Sequence, residues 1–397
     1  MFTYIEMFVG AGGSHLGFRQ QGDFKTLLVS DIDRDFCETF KYNNPGIKVI
    51  QEDIHNLTPR RVLQEAGIKK GELDVIFGGI VCKGFSLAGV RSPTDPRNDL
   101  YRSYIKLVKG IQPKVAIIEN VPGMASMKIL RNGDVDEEKI KEIHDAWNKL
   151  RKLNGLKSAA RKGVASPKEL EEIKEIEKNK TRFLKLVKEG SVNVVDDIIR
   201  LFNKAGYNVL EPRILNAADY GGATERKRLF IVAIRKDLDC TKFEWPKKSN
   251  CPKKTVRDAL SQIDYSKEDE DNKPMKHQPK TIERFSYIPR GKNIVSVMDR
   301  LPEHLRISRF YSRGCTMRLE WDKPAPTLVP GHSNFPVHPD ENRSITVREA
   351  AAIMGFPNNY KFFGSHTKRC EAVGQAVVVE MARALAQAVS DFLKKVS

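Results

Sequence analysis

The chain has 397 residues, 40% hydrophobic and 30% charged, with 68 Lys or Arg against 51 Asp or Glu and a formal net charge of +17. That length exceeds what one ordinary core supports, so two domains are expected, and the basic surplus points to a polyanionic partner, nucleic acid before an anionic membrane. No stretch approaches roughly 18 uncharged apolar residues, no basic-then-apolar leader opens the chain, and the six cysteines form no CxxC pair, so a membrane span, secretion, a zinc site and a disulfide framework are not expected.

The first predicted strand, Thr3–Val9, runs into FVGAGG (8–13) and a helix start. Glycines at such a turn, Gly10, Gly12 and Gly13, let a ligand approach the backbone. A dinucleotide fingerprint wants a further glycine at position 15, where His15 stands, so a diphosphate cradle is weakly supported. A second strand, Thr26–Ser30, ends in SDID (30–33), and a helix is expected over Arg34–Asn43. Asp31 lies 19 residues after Gly12, the separation at which a carboxylate grips ribose hydroxyls. The third strand, Lys48–Gln51, ends in EDI (52–54), where Asp53 suits an adenine amino group and Ile54 the ring. A glycine turn and two acids in this order fit adenosine without a diphosphate, S-adenosylmethionine rather than NAD.

The strand Leu73–Phe77 leads into GGIVCKGFS (78–86), which delivers Cys82 on a glycine-lined turn. A thiolate is the nucleophilic form of cysteine, and the adjacent Lys83 favours it. After a helix at Leu100–Lys109, the strand Val115–Ile118 ends in IENV (118–121). Glu119 loses solvation there, keeps its proton more readily, and suits a ring nitrogen. Residues 136–189 read as charged helices inserted between two strands. Two more strands are expected, Tyr207–Leu215 and Leu229–Arg235, the second preceded by TERKR (224–228). Arg226 and Arg228 alternate to one face of an extended segment and suit a pyrimidine carbonyl and a phosphate. Strands alternating with helices argue for an α/β fold with a mostly parallel sheet. From Thr241 to Pro330 there are 19 Lys/Arg and 12 Asp/Glu, with aromatics interleaved as in RISRFYSR (306–313), which suits a nucleic-acid face. SKEDEDNKP (266–274) reads as an exposed loop, and Cys370–Val396 as one long helix after a glycine turn.

These blocks resemble the DNA cytosine-5 methyltransferase family. FVGAGG, SDID and EDI resemble its first three motifs, GGIVCKGFS its catalytic-cysteine motif, and ENV its glutamate motif. TERKR resembles QxRxR, and RSITVREAAAIMGFP (343–357) and AVGQAVV (372–378) resemble its closing motifs. The departures are Ile80 and Val81 for two prolines, Lys83 and Thr224 for glutamines, and Gln375 for asparagine.

The resemblance implies a Rossmann-like methyltransferase fold that methylates C5 of cytosine in a specific duplex DNA sequence, as in restriction-modification systems. Cys82 would attack C6 of a flipped-out cytosine, Glu119 would hold N3 and the exocyclic amine, Arg226 would contact the base carbonyl, and Arg228 would steady the cysteine loop. Phe8, Gly10, Gly12, Gly13, Asp31, Ile32, Asp53, Ile54, Leu100, Gln375 and Ala376 fall where the family holds S-adenosylmethionine, released as S-adenosylhomocysteine; no metal is implied. Lys83, Ser86, Arg97, Arg309 and Arg313 are expected to contact DNA. The expected division is a catalytic domain (1–238, with the insertion at 136–189), a target-recognition domain (239–340) and a C-terminal return (341–397). A monomeric cytoplasmic enzyme, nucleoid-associated if prokaryotic, is expected. The alternatives are a tRNA cytosine-5 methyltransferase and an NAD-linked oxidoreductase.

Overall fold

The computed structural model describes residues 1–80, 100–130, 137–161, 166–307, 314–329 and 335–396. The chain divides into two compact units, one of Met1–Ile80, Ser103–Pro122 and Phe202–Ser397, the other of Val81–Arg102 and Gly123–Leu201.

In chain order the first elements are β1 (Phe2–Met7), α1 (Gly13–Gln21), β2 (Phe24–Asp31), α2 (Arg34–Asn43), β3 (Lys48–Gln51) and α3 (Pro59–Ala66). They alternate because short Val, Ile and Phe runs are each followed by a helix-start signal. Asp33 caps α2 and Thr58 caps α3, each accepting backbone N–H bonds of the first turn. Then come β4 (Val75–Gly79), α4 (Leu100–Ile111), β5 (Val115–Asn120), β6 (Lys128–Leu130), α5 (Glu137–Arg161), α6 (Pro167–Glu189), β7 (Ser191–Asn193) and α7 (Val194–Ala205). The remainder comprises β8 (Tyr207–Val209), β9 (Arg213–Asn216), β10 (Thr224–Glu225), β11 (Lys227–Arg235), α8 (Val256–Leu260), α9 (Pro279–Ser286), β12 (Ala325–Pro326), α10 (Val347–Ile353), α11 (His366–Gln375) and α12 (Val379–Val396).

The first unit is built on an eight-stranded sheet in the order β3-β2-β1-β4-β5-β11-β8, with β9 also on β11. β3, β2, β1, β4 and β5 are parallel, whereas β11 runs antiparallel to β5, β8 and β9. Carboxyl ends of five strands therefore share an edge with the start of β11. The expected strand Tyr207–Leu215 is two strands, because Pro212 between them has no N–H to give the ladder. The expected helix Cys370–Val396 is also interrupted. α11 ends at Gln375, and the extended residues 376–378 precede α12. That break lies against α1, where a Cβ on Gly13 would stand 2.2 Å from the Val377 carbonyl oxygen. α12 then packs across α1 at Gly17, whose Cβ would meet Ala382 at 2.5 Å.

The second unit holds a hairpin of α5 and α6 closed by the β6–β7 pair. Ile143, Ala146 and Val187 form one small core, and Leu153, Leu156 and Ile176 another. Among the described residues, no helix is long and apolar enough to cross a membrane.

The segment SKEDEDNKP is not simply exposed. Asp271, in a 3-10 turn at Glu270–Asn272, is 3% exposed and accepts from Arg369 (3.0 Å), Phe362 N–H (3.2 Å) and Arg348 (3.3 Å). Three partners from the C-terminal segment compensate the burial of its charge. A second buried ion organises residues 285–342. Arg318 donates all five N–H bonds, to the carbonyls of Ile288, His338, Glu341 and Phe285 and to Asn342 Oδ1, at 2.7–2.8 Å. The core of Phe285, Ile288, Ile294, Val297 and Met298 collects around this hub. Lysine has three donors and no planar fork. Arg318→Lys is therefore expected to cost about 2–3 kcal/mol through stranded carbonyls, seen as a lower urea midpoint; an unchanged midpoint contradicts the hub.

Candidate functional site

The β1–α1 turn is an open cradle. Phe8, Gly10 and Gly12 all have positive φ, at 59°, 54° and 85°. Nothing lies within 4 Å of where a Gly10 Cβ would stand. Gly12 is closed in by Phe40 and Tyr360, both 3.0 Å from its would-be Cβ, and the Tyr360 hydroxyl donates to the Ala11 carbonyl at 2.6 Å. Asp31, at the end of β2, accepts the Gly10 N–H and the Asp33 N–H, each at 2.9 Å. Burial raises its pKa despite those bonds. Ile32 beside it is exposed, at 61%. Asp53 accepts the His55 N–H at 2.9 Å and faces His55 Nδ1 at 2.7 Å, and the backbone bond leads in lowering its pKa; Ile54 is buried. Ala376 is buried, and Gln375 donates to Glu371 at 2.7 Å. Leu100 is the first residue of α4.

His15 fills the place a dinucleotide fingerprint gives to glycine. Its ring is fully buried, edge-on to Phe40 at 4.8 Å, and burial lowers its pKa to about 3. An imidazole there leaves the turn suited to a nucleoside rather than a diphosphate.

A second set of side chains occupies the same sheet edge. Glu119, the penultimate residue of β5, is 5% exposed, and its pKa is raised by burial against the opposing pull of Arg228 and Arg226. Arg228 Nε lies 2.9 Å from Glu119 Oε1. Arg226 is wholly enclosed, donating to the carbonyls of Leu328 at 3.0 Å and Gly374 at 2.8 Å. Both arginines pull on Glu119, Arg228 from ion-pair distance. Arg228 stands with the carboxylate, and Arg226 ties the start of β11 to the end of α11. Asn120 donates to the Ile80 carbonyl at 3.2 Å and fixes the end of β4 beside Glu119. Gly79 joins the two sets. A Cβ there would stand 3.4 Å from the Phe8 carbonyl oxygen and 3.9 Å from Glu119 Oε2. Cys82, two residues past Ile80, lies outside the described residues, as do Lys83, Ser86, Arg97, Arg309 and Arg313.

Sequence reasoning missed Glu6. It is fully buried in β1, accepting from Tyr4 (2.6 Å) and from the Ser14 hydroxyl in the first turn of α1. A carboxylate inside the apolar run FTYIEM was the available signal. Among the described residues no three His, Cys, Asp or Glu side chains group as a metal site.

The pattern for C-5 cytosine-specific DNA methylases matches residues 2–151 and 171–391. Type II methyltransferase M.Eco47II of Escherichia coli is 29% identical over 409 residues, covering 100% of this chain and 81% of its own. Type II methyltransferase M1.HphI of Haemophilus parahaemolyticus is 29% identical over 396 residues, covering 98% of this chain and 86% of its own. A prophage-encoded E. coli chain, described as a DNA modification methyltransferase, superposes with a TM-score of 0.67 at 21% identity, covering 99% of this chain and 100% of its own, which shows a shared fold.

Burial pushes the Glu6 carboxyl up to about 8, outweighing its two hydrogen bonds. An acid whose folded pKa is raised holds a proton that the unfolded chain has already lost, so its contribution to stability declines as pH rises from about 4.5 to about 8. Wild type is expected to lose stability relative to Glu6→Gln across that window, read as urea midpoints at pH 5 and pH 8. Parallel pH profiles would contradict a protonated Glu6.

Proposed function

The chain belongs to the C-5 cytosine-specific DNA methylase family, and we propose that it transfers a methyl group from S-adenosylmethionine to C5 of a flipped-out cytosine in a specific duplex DNA sequence. It is a DNA cytosine-5 methyltransferase of the restriction-modification type. The observation that carries the finer reading is the buried Glu119–Arg228 pair at the carboxyl edge of the sheet, beside the open glycine cradle.

The cradle fits the adenosine end of S-adenosylmethionine. Gly10 leaves room for the ligand, Asp31 retains lone pairs for ribose hydroxyls, and Asp53 Oδ2 has no partner among the described residues and suits an amino group. Phe8, Ile32, Ile54 and Leu100 would supply apolar contact, and Gly12, Gly13, Gln375 and Ala376 the floor and wall. S-adenosylmethionine bound there supplies an electrophilic methyl group on a sulfonium centre.

The protein's own part is activation of the base. Cys82, as thiolate, adds to C6 of the cytosine. Glu119, whose raised pKa favours the proton-bearing form, protonates N3 and accepts from the exocyclic amine, so the electron pair of the new adduct is held toward C5. Arg228 faces the same base and suits its carbonyl, while Arg226 holds the site's floor, an exchange of the roles expected from sequence order. After C5 is alkylated, a base takes the C5 proton, its electron pair re-forms the C5–C6 double bond as Cys82 leaves as thiolate, and N3 returns its proton to Glu119. Lys83 favours the thiolate, and Ser86 and Arg97 contact DNA near the reacting base. Residues 239–340 form the target-recognition domain, where Arg309 and Arg313 face the DNA, between the catalytic domain (1–238) and the C-terminal return (341–397). Support comes from the small core around Arg318 and the basic surplus of this stretch.

A duplex carrying 5-fluorocytosine cannot lose a C5 proton, so the adduct persists. Wild type incubated with S-adenosylmethionine and this duplex is expected to give a denaturant-stable protein–DNA band, and Cys82→Ser none. An equal band from Cys82→Ser, or methylation of tRNA but not of duplex DNA, would overturn the reading.

A further inference from the structure

We propose that the α5–α6 hairpin is a second DNA-binding element, gripping the phosphate backbone of the duplex through Lys149, Arg151 and Lys168. The proposal rests on the reading that duplex DNA is the substrate.

The hairpin's charges are sorted along its length. From Asn148 to Lys168 the sequence holds seven Lys or Arg and no Asp or Glu. The returning stretch 169–189 holds six of each sign. A face that exists only to be solvated mixes signs, as 169–189 does, because like charges at helical spacing repel. A run of one sign is instead a field that selects an anionic partner.

Two of these cations are already neutralised. Lys152 pairs with Glu172 at 2.6 Å and Lys157 with Glu177 at 2.5 Å, contacts that stitch α5 to α6. Lys149, Arg151 and Lys168 are exposed and form no ion pair among the described residues. The Lys149 ammonium lies over the Phe183 ring at 5.3 Å, a contact that leaves its positive charge without an anionic partner among the described residues. Arg151 borders a groove of about 450 Å³ shared with Asn148, Lys152, Gly155 and Leu156. The groove exists because Gly155 puts no side chain on α5, where a Cβ would have nothing within 4 Å. Glycine inside a helix costs about 1 kcal/mol relative to alanine, so an open surface at this point is held against local propensity.

The occupant follows from chemistry and reach. A polyphosphate is what unpaired cations spread along a hairpin bind, and this enzyme's substrate is one. Most of the hairpin's apolar residues pack into the two small cores, and the exposed Leu170 and Leu184 stand 14 residues apart on α6, so between them the surface offers mainly charge. α5 spans 25 residues and α6 spans 23, about 35 Å at helical rise, close to one turn of duplex. The match to the family pattern stops at 151 and resumes at 171, so Lys168 lies outside it whereas Lys149 and Arg151 lie at its edge.

The test uses the full chain and the triple variant Lys149→Gln/Arg151→Gln/Lys168→Gln, which keeps helix-forming residues at all three sites. Affinity for a 60-base-pair duplex is measured from about 0.05 to 0.3 M salt. Three lost phosphate contacts are expected to flatten the slope of log K against log[salt] by about 2.7, with affinity reduced more than tenfold at low salt. Arg151→Glu alone is expected to weaken binding more than Arg151→Gln. An unchanged slope, equal effects of the two Arg151 variants, or loss of tRNA affinity with DNA affinity intact would each overturn the proposal. Methyl transfer by wild type is scored in parallel. An active enzyme with an unchanged slope refutes the hairpin alone, whereas absence of transfer to any duplex refutes the substrate reading beneath it.

Discussion

A carboxyl group buried at the end of a sheet needs a cation, and the sheet topology decides which one it gets. Glu119 closes β5 with almost no contact to water, and Arg228 supplies the partner at 2.9 Å. In a wholly parallel sheet the strand after β5 would start at the opposite edge, a strand length away. Because β11 runs antiparallel, with Phe230 opposite Glu119, its first residues arrive at the edge where β1 to β5 end. One reversed strand therefore brings the acid of one motif and the arginines of another together. Desolvation raises the Glu119 pKa, and Arg228 opposes that rise by favouring the charged carboxylate.

The same edge is held from the other end of the chain. The break between α11 and α12 lays backbone against Gly13, Tyr360 bonds to Ala11, and Arg226 bonds to Gly374. The glycine turn, the start of β11 and the C-terminal helices are thus one assembly. Substitution of Gly13 by any larger residue would push on the Val377 carbonyl, a backbone atom that cannot rotate away.

Much of this was legible in the sequence. Short Val/Ile/Phe runs separated by amphipathic stretches located β1 to β5 and β11, with Lys48–Gln51 and Arg34–Asn43 found to the residue. The glycine turn, Asp31 and Glu119 were legible because each is a polar or small residue ending an apolar run. What was hidden depends on tertiary pairing. Asp271 looked like part of a charged loop because its three partners lie about 77 to 98 residues away in sequence. Arg318 resembled any other basic residue of its stretch, since carbonyl acceptors leave no trace in composition. The different environments of Arg226 and Arg228 follow from which strand faces which, and alternation along one strand does not report that. Glu6 was overlooked because a single acid in a strand reads as its solvent-facing position.

The central claim is that Glu119 and Arg228 act as one unit on one base. A double-mutant cycle on the methyl-transfer rate with duplex DNA tests it most directly, using Glu119→Gln, Arg228→Gln and the two combined. The account predicts that the combined variant is no slower than the slower single variant within about threefold, because residues that act together lose their effect together. Losses that multiply would show two independent groups and contradict it.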